Sequence, residues 1–226
     1  MKRICGLAAL SFLIALPATA QVAGPVAPAL TPEQIRASES LAPKFDESAA
    51  RENARLQTFA TRPLGAIVQR SFNVFTNYLV MAAEMMPESS YAFRPTPELR
   101  TFGQQINHAT GAHYSFCNQA GLPAGVQKQA APSLAAVTAK SAVVAALKES
   151  IAYCDRILAA ATEEWLRDEA PNLGGSASGL IRGMRAHAFI YNAVHSAEDY
   201  GTITTYLRMQ GVVPPSTALH PPASKK

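Results

Sequence analysis

The chain has 226 residues, of which 48% are hydrophobic and 16% charged. That balance excludes a disordered charged tail, a disulfide-dense miniprotein and a collagen-like fibre, and the length suits one domain with at most an appendage. The formal charge of +4 is matched by Lys2, Arg3, Lys225 and Lys226 at the two ends, so the body is near neutrality and no nucleic-acid partner is expected.

The opening MKRICGLAALSFLIALPATA places Lys2 and Arg3 before an apolar run from Ile4 to Leu16, then Pro17 and the small-x-small set Ala18-Thr19-Ala20. This pattern predicts a signal peptide over residues 1–20, cleavage after Ala20, and a periplasmic or extracellular location. The run falls short of the ~20 apolar residues of a spanning helix, so no stable membrane insertion is expected after cleavage. Cys5 would leave with this segment, and Cys117 and Cys154 would remain as an even pair in an oxidising compartment. Residues 21–46 mix Pro, Ala and Ser without a period and read as a flexible leader, with room for a short helix after Thr31-Pro32.

Four helical segments follow within residues 47–213. From Pro63 to Met86, Val68, Phe72, Phe75, Leu79, Ala82 and Met86 recur at helical spacing. Thr96-Pro97-Glu98 reads as the start of a second helix, whose stripe is Phe102, Ile106, Ala109, His113 and Phe116, before Gly121 and Pro123 stop it. A third helix is predicted from Lys140 to Trp165, with Val144, Leu147, Ile151, Cys154, Leu158, Ala161 and Trp165 on one face. The fourth begins after Gly174-Gly175 and runs to Gln210, ended by Gly211 and Pro214. Residues 214–226 read as an irregular, disordered tail. With no strand pattern, the prediction is an all-α four-helix bundle.

Residues 120–138 are long for a link between adjacent helix ends. The second helix is ~34 Å long, and this connection can stretch ~60 Å, so a crossover that leaves helices 2 and 3 parallel is available. In that arrangement Cys117 and Cys154 both lie toward the ends of their helices. In a tight antiparallel hairpin they would stand beyond the ~7 Å Cα limit for a disulfide. Crossover and disulfide are therefore expected together.

Among the histidines, His195 and Asp199 are four residues apart on the fourth helix and share a face with Tyr191, Thr202 and Tyr206 nearby. Such a pair can hold a metal when another helix supplies a third ligand, and is otherwise a surface pair. His113 falls on the apolar stripe and is expected to pack at a seam. His187 is expected to be exposed or locally bonded, and His220 lies in the tail. Glu84 is expected to be solvated, and Ser89-Ser90-Tyr91 looks like a turn. Gly174-Gly175-Ser176 is a loop able to seat an anion but lacks the Lys of a phosphate loop. Cys117 would be a nucleophile only if reduced.

Two stretches resemble the DinB-like family in its exported branch: MPESSYAFRPTPELRTFGQQINHATGAHYSFC over residues 86–117, and the segment from His195 to Pro215. The family is unrelated to the DNA polymerase that shares its name. The resemblance spans residues 60–215 and implies a four-helix bundle with a crossover between helices 2 and 3. It further implies a divalent metal held by one His on helix 2 and a His-x-x-x-His pair on helix 4. Carried over by position, the ligands fall on His108, His195 and Asp199, with Asp199 standing where the family has His. Two His and one carboxylate remain a recurrent open-site set for Zn, Ni, Mn or Fe. His108 lies about 100° from the apolar stripe of its helix, a position compatible with an inner edge or with half exposure.

Three functions are compatible with these residues. One is an enzyme, a metal-dependent transferase using a low-molecular-weight thiol or a hydrolase, with export counting against the thiol. Another is a binding module for metal or a small-molecule ligand. The third is a structural bundle with a degenerate site. No residue is assigned as catalytic, and a homodimer is compatible with each reading.

Overall fold

The computed structural model describes residues 61–171 and 183–220. The expected signal peptide and leader, Gly174-Gly175-Ser176 and residues 221–226 lie outside the described residues. The elements, in order, are α1 (Pro63–Met85), a 3-10 turn (Glu88–Ser90), α2 (Phe102–Gln119), α3 (Lys140–Ala160), α4 (Glu163–Arg167), α5 (Arg185–Met209) and α6 (Pro215–Leu219). Among the described residues there is no strand, only an isolated bridge between Glu169 and Met184, so the protein is all-α as expected. No described helix is long and apolar enough to cross a membrane.

The helix ends follow from local chemistry. α1 opens on Pro63, whose missing donor is no loss in a first turn. The Glu163 carboxylate of α4 accepts from the next two amides, Leu64 N at 3.3 Å and Gly65 N at 2.8 Å. α2 does not start at Thr96-Pro97. Thr96 instead closes a turn with Leu99, and Thr101 forms a capping box with Gln104, their bonds being 3.2 and 2.9 Å. That box satisfies two amides at once, which the earlier threonine does not. α3 also ends earlier than expected, at Ala160. Ala161 and Thr162 are extended, and Thr162 accepts from Trp165 N at 3.0 Å to start α4. The Arg62 guanidinium covers the freed carbonyls of Leu158 and Ala161.

The predicted apolar faces are the buried ones, with small shifts. Phe102, Ile106, Ala109, His113 and Phe116 of α2 are all buried. On α1, Phe75 is half-buried while Thr76 and Tyr78 are buried beside the expected Val68, Phe72, Leu79 and Ala82. On α3 the fully buried line runs Val143, Leu147, Ser150, Cys154 and Ile157, and Val144 and Ile151 are half-buried at its edge. α1 packs against α5 and α3, and α2 packs against both as well.

Contacts between α2 and α3 advance together along both helices. His113 meets Ser150, their Nδ1 and Oγ 2.9 Å apart, and Cys117 meets Cys154 at disulfide distance with Cα atoms 5.6 Å apart. The other ring nitrogen of His113 lies 3.2 Å from Ser196 Oγ on α5, so one buried imidazole joins three helices. The segment between α2 and α3 is pinned from inside: the Asn107 amide donates to Leu134 O and Val137 O at 3.0 and 2.8 Å.

The irregular tail expected from Pro214 is corrected over residues 215–219, which form α6 with Pro215 and Ala218 buried. Tyr200 holds it, donating to Ser216 Oγ at 2.8 Å and accepting from Ser216 N at 2.9 Å. Glu84 is likewise not simply solvated, since Lys148 pairs with it at 2.7 Å. Ser89 and Ser90 lie in the 3-10 turn, in keeping with the turn read there.

Candidate metal centre

α2 and α5 meet along their length, and their facing surfaces carry the polar side chains. His195 and Asp199 sit one turn apart on α5, so both project toward the same neighbour. His108 on α2 faces them, its ring 5.2 Å from that of His195 at an interplanar angle of 70°. One ligand-capable atom from each of His108, His195 and Asp199 lies within 4.8 Å of the others. Donors bound tetrahedrally to one ion at ~2.1 Å stand ~3.4 Å apart, so the set closes on an ion by a contraction of up to about 1.4 Å.

Asp199 is the floor of the centre. Its side chain is 4% exposed, against 21% for His195. Gln105 on α2 donates to Asp199 Oδ1 at 2.7 Å, whereas Oδ2 is buried without a hydrogen-bond partner and stands 3.6 Å from His195 Nε2. Burial pushes the Asp199 carboxyl up to about 6, although His195 and the Gln105 hydrogen bond both pull it down. A buried carboxylate oxygen with no donor is costly unless a cation or proton answers it.

His108 is half-buried, and burial, Arg100 and His195 all hold its imidazole below the ordinary range. It is therefore neutral near pH 7, with a lone pair to offer. Phe116 closes one side of the centre, its ring edge-on to His195 at 5.5 Å and to Tyr191 at 5.2 Å. Glu198 stands at the open side, 77% exposed and 3.7 Å from His195 Nδ1. The residues present thus fit a divalent ion, with two imidazoles, one oxygen in need of a cation, and an open side facing solvent.

The other expected polar residues go elsewhere. His113 is sealed in the core with its serines, as a packed seam histidine. His187 is half-buried and stands apart from the ligand group. Thr202 bonds Glu198 O within its own helix at 3.3 Å, and Tyr206 donates to Arg100 O at 2.9 Å. Gln105 was missed by reading the sequence. A glutamine one turn from His108 is a weak signal, and its role depends on which side chain α5 brings opposite.

No protein-family model matches the chain, and no curated protein matches it. The functional reading therefore rests on the residues and their arrangement.

Proposed function

We propose that this chain is an exported, DinB-like four-helix bundle that holds a divalent metal between α2 and α5 through His108, His195 and Asp199. The observation that carries the reading is Asp199 Oδ2, a buried, unpartnered oxygen grouped with two imidazoles. The paired advance of α2 and α3, His113 with Ser150 and Cys117 with Cys154, supports parallel helices and hence a crossover through residues 120–138. The same cysteine pair supports folding in an oxidising compartment.

The activity that follows from this centre is metal-dependent transfer or hydrolysis. A divalent ion supplies Lewis acidity and lowers the pKa of a water or thiol. The chain's own residues supply the rest. Gln105 holds the Asp199 carboxylate so that one oxygen points at the histidines, and Phe116 shields His195 from one side. Three protein ligands leave positions open toward solvent for a small-molecule substrate.

The test is metal retention. Protein incubated with Zn, Ni, Mn or Fe and desalted should keep about one ion per chain, and His108→Ala should lose it. Retention of none by the unaltered protein would sink the reading.

A second reading, a non-catalytic bundle whose site has decayed, is favoured by Asp199 standing where the resemblance has His. Asp199→His separates the two. Sharply tighter binding in the variant supports decay, whereas a change of metal preference alone supports a carboxylate ligand.

A further inference from the structure

The rim of the centre carries a cation that the fold leaves unused. Arg100 immediately precedes the Thr101 cap of α2 and is exposed. Its side chain makes one long hydrogen bond, Nη1 to Gln105 Oε1 at 3.5 Å. The same glutamine donates to Asp199 at 2.7 Å, so Arg100 stands one side chain away from the ligand set. Among the described residues no carboxylate pairs with Arg100.

A guanidinium is a planar fork of donors that matches a carboxylate, and an unpaired one beside an open metal position is a second point of attachment for an anion. Charge narrows the choice. A divalent ion and Arg100, set against Asp199 and Glu198, leave a single positive charge over. A monoanion neutralises it, and a dianion such as hydrogen phosphate overshoots beside the exposed Glu198.

We propose that the ligand of this centre is a small molecule bearing a carboxylate, recognised by Arg100 at the rim while a metal held by His108, His195 and Asp199 engages the same molecule. This rests on the metal-binding reading given above. Arg100 then acts as a specificity-determining residue, selecting charge before any chemistry occurs. Gln105 couples the two parts, because its amide bonds Asp199 on one side and meets Arg100 on the other.

Protein loaded with Co2+ should be titrated with propionate, with neutral propionamide and with inorganic phosphate. Binding is followed by the visible absorption of Co2+ and by calorimetry. Propionate should perturb the Co2+ spectrum and bind ahead of both competitors. Arg100→Gln should weaken propionate about tenfold, and Arg100→Lys should recover part of the loss. Co2+ affinity should hold or rise in Arg100→Gln, since removing a nearby cation does not weaken the hold on another. Equal propionate binding by the protein and Arg100→Gln, or preference for propionamide or phosphate, overturns the proposal alone. Failure to take up Co2+ at all overturns the metal reading, and this proposal with it.

Discussion

Gln105 on α2 donates to Asp199 Oδ1 on α5 at 2.7 Å and thereby leaves Oδ2 as the oxygen that faces His195 Nε2, 3.6 Å away. One amide thus decides which way a buried carboxylate points. Partners of this kind, which hold a ligand without touching the metal, are each worth about 10–100-fold in affinity. Gln105→Ala should lower affinity for Zn or Co by about that factor while the helical circular dichroism stays unchanged. An unaltered affinity would mean that Asp199 needs no such guide.

Removing the charge of Asp199 should separate stability from binding. With no metal present, the protein buries a carboxylate oxygen that accepts no hydrogen bond and has only the His195 ring, 3.6 Å away, beside it. Asp199→Asn keeps an acceptor for Gln105 and offers an amide donor toward His195 Nε2. The variant is expected to gain about 1–2 kcal/mol in chelator-treated protein, seen as a raised midpoint in urea, and to lose metal retention. A lower midpoint would show that the carboxylate is satisfied without an ion.

The buried His113 imposes a pH dependence of its own. Burial holds its imidazole down to about 3, against 6.5 for a free side chain. A neutral ring carries one N–H, so of Ser150 and Ser196 one accepts from it and the other donates to it. A depressed folded pKa means that the unfolded chain binds more protons below pH 6.5. This contribution to stability is therefore complete above pH 6.5 and is lost as pH falls toward about 3, by up to ~1.4 kcal/mol per pH unit. Urea unfolding of His113→Gln between pH 4 and 7 should show a shallower dependence, and an identical slope would count against this origin.

Bonded, Cys117 and Cys154 close a loop of sequence separation 37. Chain-entropy arguments place such a crosslink at about 3–4 kcal/mol, or about 10 °C in Tm for a chain of this size. Reductant should lower Tm by that order, and Cys117→Ser should start low and ignore reductant. A Tm indifferent to reductant, with two thiols titrating in the folded protein, would show the pair to be unbonded.

Metal should also leave with acid. Ligating imidazoles must be neutral, so release is expected in acid, as protons compete with the metal for the ring nitrogens. Retention unchanged to about pH 4 would count against histidine ligation.

Helix existence and the inward faces were legible because both are local. Backbone bonding within a segment and the 3.6-residue period put Phe102, Ile106, Ala109, His113 and Phe116 on one line, whatever lies opposite. Helix ends were less legible. Thr96 and Thr101 are both plausible caps, and only the reciprocal bond with Gln104 chooses between them. The break at Ala161 was hidden because the apolar stripe continues across it into Trp165, which is half-buried.

From sequence alone, His195 and Asp199 were fixed as neighbours, since four residues along any α-helix bring two side chains into reach. His108 was undetermined at its position on the edge of a stripe. Only the approach of α5 to α2 set it against the other two, made Gln105 a partner of Asp199, and sealed His113 between two serines. These are contacts between residues far apart in the chain, and no period within one helix encodes which foreign side chain will stand opposite.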